Sequence, residues 1–358
     1  MTHRENLLSL IRREGPEWVP VSFSLCPSLE KKYIERVGAS PWYDGHFQFP
    51  WRNIGDIRLP GEDYAKKYAR YYPGGYKKGT HVDHIGVAHE PGSEAAMHMT
   101  YMRHPLEHVK NAADIKEYPF PDFPGGETAH QKAQAEEIHA RGLAAVGDMP
   151  CTIWETAWYI RGMENLMMDM MEDNPTASYL LDAVTRNAVS RARAYAAAGA
   201  DILSLGDDVG MQSRIMISEE LYRKWLWPRL KLVIDEARSV KPDIIVFYHS
   251  CGYVTPFIPL FIKAGIDVLT PVQPESMDFT EICGIYGDRL SFHGAIGTQS
   301  VMPFGTPGEV KDKVWEYLSI AGPKGGLFPA PTHLLEPEVP WENVEAYVQA
   351  CNEYRYGV

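Results

Sequence analysis

Polar side chains that could bind a metal or move a proton recur at the ends of apolar segments in this chain. His249 and Cys251 follow the apolar run IIVFY and precede Gly252. Residues i and i+2 of a strand point to the same face, so this imidazole and this thiol would lie side by side. Nitrogen and sulfur are the ligands that zinc prefers. The spacing therefore indicates a zinc site, although a His-x-Cys sequence is also short enough to occur by chance.

The other candidate residues also end apolar runs or follow them closely. His333 ends GLFPAPTH and is the candidate third zinc ligand, and Glu155 is a possible fourth ligand that a substrate could displace. Asp207, Asp208 and His293, together with Glu155, could orient a substrate or handle a proton. Each has an alternative role: the aspartates could cap the following helix, His293 could bond a backbone carbonyl, and Glu155 could lie on a helix surface.

From about residue 140 onward, short apolar runs alternate with helical patterns, which predicts a parallel sheet with right-handed crossovers. Strands are predicted at 143–149, 202–208, 244–250, 267–274, 290–296 and 326–333. An early strand at 19–24 makes seven, and one more from the 80–105 region would close a barrel of eight. The predicted fold class is thus α/β, a (β/α)8 TIM barrel, in which the carboxyl ends of the strands build the active site. A doubly wound open sheet is the alternative, but the sequence lacks its GxGxxG loop.

The domain organisation is predicted to be simple, with residues 1–358 forming one domain. The region from about 26 to 125 is rich in aromatic residues, Pro and Gly, and we interpret it as an elaboration over the barrel mouth, with a hairpin around 83–101. Tyr and Trp side chains from 42–76 could wall an aromatic substrate, although aromatic residues are also common in protein cores.

The composition of the chain limits the classes of partner and the cellular environment that we expect. A net charge of −12 argues against a nucleic-acid surface, which needs clustered Lys and Arg. No apolar stretch is long enough for a membrane span or a signal peptide. The five cysteines are widely scattered, which favours a reducing cytoplasm over a disulfide framework.

Three long segments resemble the uroporphyrinogen decarboxylase superfamily. They read FYHSCGYVTPFIPLFIKAGIDVLTPVQPESMDF, GDRLSFHGAIGTQSVMPFGTPGEVKDKV and GGLFPAPTHLLEPEVPWENVEAYVQA, and LGDDVGMQSRIMISEELYRKWLWPRLK is similar to the same superfamily. The resemblance covers about residues 140–355 and implies a (β/α)8 barrel. The metal-free decarboxylases carry an Arg-rich signature of the type RQAGRY, whereas this chain reads VPVSFSLCPSLEKKYIERVG in the corresponding region.

The other branch of the superfamily, the corrinoid-dependent zinc methyltransferases, has a His-x-Cys pair and a later Cys. His249 and Cys251 match the pair, and His333 stands where the thiol-methylating members have the later Cys. The resemblance to methoxyaromatic O-demethylase components implies transfer of a methyl group from a methoxylated aromatic to the Co(I) corrinoid (cobalamin) of a partner protein. Zinc with one thiolate and two imidazoles keeps enough positive charge to polarise an ether oxygen.

Three alternatives remain at this point. The first is a methylcorrinoid:thiol methyltransferase of the coenzyme M type, in which zinc holds the acceptor thiolate. The second is a metal-free enzyme like uroporphyrinogen decarboxylase. The third is a non-enzymatic corrinoid-binding scaffold, against which the polar residues at the predicted strand ends argue.

Overall fold

A computed structural model of the chain describes residues 1–92, 99–109 and 112–356. The strands in these ranges are β1 (Trp51–Ile54), β2 (His81–Val82), β3 (Ala88–Pro91), β4 (Thr100–Arg103), β5 (Ala144–Met149), β6 (Ile202–Gly206), β7 (Ile245–His249), β8 (Val268–Val272), β9 (Ser291–Ile296) and β10 (Leu327–Pro331).

The α-helices of the same ranges are α1 (His3–Arg12), α2 (Pro27–Arg36), α3 (Tyr43–His46), α4 (Tyr64–Lys67), α5 (Ala112–Lys116), α6 (Ala129–Ala140), α7 (Trp154–Arg161), α8 (Met163–Met171), α9 (Pro175–Ala198), α10 (Glu219–Leu221), α11 (Trp227–Val240), α12 (Ile258–Ala264), α13 (Phe279–Tyr286), α14 (Val301–Phe304), α15 (Pro307–Ala321) and α16 (Trp341–Glu353). In the part of the chain that the structure describes, no helix has the length and apolar character needed to cross a membrane.

A curled parallel sheet of seven strands organises the molecule. Its strand order is β1-β5-β6-β7-β8-β9-β10. The strands therefore follow the order of the chain, with the separate strands β2–β4 between β1 and β5, and helices connect the strands from β5 onward. This is the α/β architecture of the (β/α)8 class, as predicted. All six strands predicted after residue 140 are present, and their carboxyl ends lie at the same end of the sheet.

The predicted strand at 19–24 is wrong. This segment has no regular secondary structure, and the backbone N–H and C=O of Ser22 both bond the hydroxyl of Tyr347, a side chain from α16. A single isolated β-bridge, between Leu25 and Leu335, directly follows residues 19–24. The backbone is thus satisfied by a side chain and a loop instead of a strand ladder.

The expectation of a further barrel strand from 80–105 is also wrong. Strands β2, β3 and β4 from that region form a separate antiparallel sheet, which extends the predicted hairpin to three strands. The first strand of the parallel sheet is instead β1, which pairs with β5 from Trp51↔Ala144 to Ile54↔Gly147.

Apolar side chains close the amino-terminal end of the curled sheet. Alternate residues of the strands point inside, and α1 adds three residues that pack against them. The buried members of this interior cluster are Leu7, Leu10, Ile11, Ala144, Val146, Ile202, Ile245, Phe247, Val268 and Phe328. Because this end is apolar and sealed, the polar side chains gather at the opposite, carboxyl end.

Several aromatic side chains of the region from about 26 to 125 belong to the hydrophobic core and do not line a pocket. Tyr68 and Tyr72 are buried. The Tyr72 hydroxyl lies within hydrogen-bond distance of the carbonyl oxygens of Gly86 (2.7 Å) and Arg103 (2.9 Å). These side chains therefore hold the antiparallel sheet together.

Candidate metal centre

Asp208, His249 and Cys251 bring one ligand atom each to within 4.8 Å of one another, and we call these three residues the metal group. Cys251 Sγ lies 3.3 Å from His249 Nε2, and Asp208 Oδ1 lies 3.7 Å from the same nitrogen. The part of the chain that the structure describes holds this one cluster of three or more such donors. All three side chains are partly exposed at the carboxyl end of the sheet.

Two adjacent strands position the metal group. His249 ends β7, and Gly206, the last residue of β6, is its register partner. A Cβ on Gly206 would lie 2.8 Å from the His249 Cβ, so only glycine allows the strands to end this close together. Asp208 follows two residues later, and its Oδ1 accepts a 2.7 Å hydrogen bond from the backbone N–H of Cys251.

Asp207 has a structural role across the strands. Its buried carboxylate accepts hydrogen bonds from the backbone N–H groups of Ile153 (3.0 and 3.1 Å) and Glu155 (3.0 Å), which begin α7. Burial raises the pKa of this carboxyl well above its ordinary value, and the nearby carboxylate of Glu155 adds to the shift. Asp207 therefore caps a helix, but this is α7, which follows β5, and not the helix that comes after Asp207 in the chain.

Glu155 lies behind the metal group, not within it. Its Oε2 accepts the backbone N–H of Asp208 at 3.0 Å, and its Oε1 accepts the hydroxyl of Tyr159 at 3.0 Å. Burial and the charge of Asp208 raise the pKa of Glu155. This arrangement fixes the backbone of Asp208.

The donor set fits zinc. Burial lowers the pKa of His249 and raises the pKa of the Cys251 thiol, so the imidazole is neutral and the thiol is costly to ionise on its own. A divalent cation offsets that cost, because it compensates a thiolate and a carboxylate together. Mixed nitrogen, sulfur and oxygen ligands suit zinc and not the all-oxygen preference of Mg²⁺ or Ca²⁺.

His333 lies outside the metal group, in the exposed loop that follows β10. It lines two cavities that meet the group from different sides. The aromatic cavity, of about 370 Å³, contains His249 and is walled by Phe23, Phe49 and Trp51. The polar cavity, of about 430 Å³, contains Asp208 and Cys251 and is lined further by Gln212, Gln273, Thr298, Gln299, Glu336 and Glu338.

His293 lies inside the curled sheet and lines the aromatic cavity. Its Nδ1 is 2.8 Å from the Thr270 hydroxyl, and its Nε2 is 3.2 Å from the Ser22 hydroxyl. Burial, with a smaller effect of His249, lowers its pKa to about 3. The imidazole is therefore neutral at physiological pH, and it bonds side-chain hydroxyls instead of the backbone carbonyl that we considered.

Sequence reasoning missed several residues of these cavities. Ser22 and Thr270 occur within segments read as strands, where a small hydroxyl residue gives little signal. Phe49 is also missed. Trp51 is one of the Tyr and Trp side chains of 42–76 that the sequence offers as pocket walls, and it does line the aromatic cavity, but nothing in the sequence separates it from the buried tyrosines of that region.

The model of the uroporphyrinogen decarboxylase (URO-D) family matches residues 98–354 of this chain. A methylated-thiol–coenzyme M methyltransferase of Methanosarcina mazei is 30% identical over 227 residues, which are 61% of this chain and 56% of the relative. The methylcobamide:CoM methyltransferase MtaA of Methanosarcina barkeri is 29% identical over 174 residues, 49% of this chain and 48% of the relative. The chain thus spans about half the length of these curated relatives.

A solved structure of a methyltransferase from Methanosarcina mazei has the same fold. The two chains superpose with a TM-score of 0.64 over 99% of each, at 19% sequence identity. The family match covers the strands from β5 to β10 and every residue of the metal group. On this match, the chain belongs to the uroporphyrinogen decarboxylase family.

Proposed function

We propose that this protein is a corrinoid-dependent methyltransferase that holds zinc through Asp208, His249 and Cys251. It transfers a methyl group from a methoxylated aromatic to the Co(I) corrinoid of a partner protein. The observation that carries the proposal is the position of the metal group, between an aromatic cavity on the His249 side and a polar cavity on the Cys251 side.

The aromatic cavity suits the donor. Phe23, Phe49 and Trp51 offer ring faces and edges to an aromatic ring, and the volume of about 370 Å³ is in the range of small-molecule pockets. Zinc, when bound, would supply Lewis-acid chemistry toward an oxygen atom, although the carboxylate of Asp208 in place of a second imidazole leaves the metal with less positive charge than the set expected from the sequence. In the transfer, the bond from the methyl carbon to oxygen breaks, oxygen keeps the electron pair as phenolate, and the two electrons of Co(I) form the new bond to carbon.

The chain's own residues then have distinct tasks. His293, neutral and bonded through both ring nitrogens to Thr270 and Ser22, is a fixed ring in the wall of the aromatic cavity and shapes the space that orients the donor. Glu155 holds the backbone of Asp208, and Asp208 in turn holds the backbone of Cys251. The polar cavity, with its glutamine side chains, is the side from which the corrinoid approaches.

A second candidate is the methylation of a thiol by a methylcorrinoid. The two curated relatives described above are both named as coenzyme M methyltransferases, which favours this direction. In that case the zinc that Asp208, His249 and Cys251 would hold would stabilise a substrate thiolate, and the methyl group would move from the cobalt of the methylcorrinoid to sulfur, with the electron pair of the broken carbon–cobalt bond staying on Co(I). The aromatic walls of the cavity give this candidate no advantage.

The experiment follows the cobalt absorption spectrum in both directions. Zinc-loaded protein is mixed with Co(I) corrinoid and a panel of methoxybenzoates and quaternary amines, and separately with methylcorrinoid and thiols. We expect methylcorrinoid to form with a methoxybenzoate, and this activity to be lost in His249→Ala and kept in Cys283→Ala, which alters a cysteine on α13. Consumption of methylcorrinoid by a thiol alone would reverse the direction, and no spectral change in either assay would contradict the class.

A further inference from the structure

A third cavity, of about 260 Å³, lies outside the metal site, and we call it the Arg191 cavity. It is enclosed by the loop after β5, by α7 and α9, and by the segments around 83–85 and 120–123. Its lining includes no member of the metal group. The side chains of Glu155 and Tyr159 stand between them, since Tyr159 lines the cavity and bonds the carboxylate that holds Asp208.

The walls of the Arg191 cavity are mostly apolar. Phe120, Phe123, Ile85, Ile160 and Val184 line it. A ligand that fills it must therefore carry an apolar body, about the size of one ring given the volume.

Most polar groups of the Arg191 cavity are already engaged. The hydroxyl of Thr152 bonds the carbonyl of Met149 at 2.8 Å, and the hydroxyl of Thr156 bonds the carbonyl of Cys151. The Asp83 carboxylate accepts the backbone N–H groups of Ile85 and Val87, and its other oxygen lies 2.9 Å from a ring nitrogen of His89. These groups leave little capacity for a polar ligand.

Arg191 is the exception. Its guanidinium forms one ion pair, from Nη2 to Asp56 Oδ2 at 2.6 Å, and its carbon Cζ lies 5.2 Å from the centre of the Phe123 ring. Its Nε is buried without a hydrogen-bond partner among the described residues. A guanidinium has five N–H donors, so one ion pair leaves further donors on the part of the side chain, 18% of it, that stays exposed.

His84 is one of the titratable groups near Arg191, together with Asp56, Asp148 and Tyr195. Burial lowers the pKa of His84, and the charge of Arg191 lowers it further, against the opposing charges of Asp83 and Asp56. The imidazole is therefore neutral, and Arg191 supplies the cationic end of the cavity.

From this arrangement we propose that the Arg191 cavity is a second small-molecule site, which binds an aromatic carboxylate. The ring occupies the apolar walls, and the carboxylate meets the guanidinium of Arg191, for which a planar oxyanion is the matched partner. The site goes beyond the proposed methyl transfer, because it needs neither zinc nor corrinoid.

Isothermal titration of the full chain without added metal tests the site, with benzoate as the probe and benzamide as its neutral counterpart. We expect benzoate to bind more tightly than benzamide. Arg191→Gln should weaken benzoate binding about tenfold or more and leave benzamide binding unchanged. Arg193→Gln is the matched control, because Arg193 lies on the same helix but pairs with Glu236 at the surface.

Two further variants keep the test decisive. Ala188 is buried and lines the cavity, so Ala188→Phe should fill it and abolish the binding of both probes, even if Arg191→Gln fails to fold. His249→Ala should bind benzoate like the wild type, which separates this site from the methyltransferase proposal. The inference is overturned if the wild type does not prefer benzoate, if folded Arg191→Gln binds it normally, or if His249→Ala loses it.

Discussion

Asp208 is the oxygen donor of the metal group, and its position is fixed from two sides. Its carboxylate bonds the N–H of Cys251, and its own N–H bonds Glu155. Asp208→Asn keeps the shape and the bond to Cys251 but removes the charge. We expect zinc affinity to fall about 10- to 100-fold, as commonly found when groups that support a metal are altered.

Competition with a chromophoric chelator measures this affinity. His333→Ala is the comparison, because His333 lies at the cavity rims and not in the metal group. Its effect should be smaller. An equal or larger loss in His333→Ala would make His333 a ligand and would argue against Asp208.

His293 should orient substrate without titrating. With its pKa near 3, the imidazole does not change charge between pH 5 and 8. His293→Gln should therefore lower kcat/KM about five- to tenfold, because the cavity wall loses about one of the hydrogen bonds that fix Thr270 and Ser22, and leave the shape of the pH–rate profile unchanged. Loss of an inflection between pH 5 and 8 in the variant would assign a proton-transfer role to His293.

The sequence predicts the His249–Cys251 pair because a spacing of two residues at a strand end is a local property, although β7 itself ends at His249. Asp208 could be predicted as a polar strand-end residue but not as a partner of the pair, since that depends on the register Gly206↔His249. His333, the third ligand that the sequence predicts from its place after the last strand, is near enough for its charge to lower the pKa of His249 but lies outside the metal group. Two strands, β8 and β9, separate β10 from β7, and the distance across the mouth is not encoded in sequence spacing.

At the scale of elements, α1 is tied to the sheet at the entrance to β6. Asp201 is buried and accepts Arg4 Nε (3.0 Å) and Nη2 (2.7 Å), the backbone N–H of Ala145 (3.0 Å), and His139 Nε2 at 2.9 Å. Burial alone would raise the pKa of Asp201, but these bonds outweigh it and lower the pKa. The ionised carboxylate thus joins α1 and α6 to the sheet.

Asp201→Asn should lower the free energy of unfolding by about 2–4 kcal/mol at pH 7, because buried donors lose their charged partner. A lowered folded-state pKa gives stability that is present above the unfolded-state pKa, near 4, and lost as pH falls through the folded-state value. The difference from wild type in urea unfolding should therefore shrink below about pH 4. Asp235→Asn, at an exposed pair with Lys231, should cost less than about 1 kcal/mol. A difference for Asp201→Asn that grows with acid would contradict this account.

The elements after residue 140 are predictable because each strand is an apolar run bounded by helical patterns. The elements of the amino-terminal third are less predictable, for two physical reasons. Residues 19–24 look like a strand, yet Tyr347 satisfies the backbone of Ser22. The strand β1 reads WRNI, with little apolar signal, and forms only through its pairing with β5.

At the scale of the whole molecule, the curled sheet has one sealed end and one open end. The helix α1 and the interior cluster close the amino-terminal end with apolar side chains. The donors for metal and substrate therefore gather at the carboxyl end, where neighbouring strands bring residues from distant parts of the chain together. The region that matches the family, residues 98–354, contains the strands β5 to β10, whose carboxyl ends carry these donors.

X-ray absorption at the zinc edge on the zinc-loaded full chain tests the central claim most directly, because it counts the sulfur ligands of the metal. We predict one sulfur at about 2.3 Å, with the remaining nitrogen and oxygen ligands at about 2.0–2.2 Å. The sulfur should vanish in Cys251→Ser and persist in Cys151→Ser. A spectrum with no sulfur or with two sulfurs, or one that Cys251→Ser leaves unchanged, would contradict a metal centre made of Asp208, His249 and Cys251.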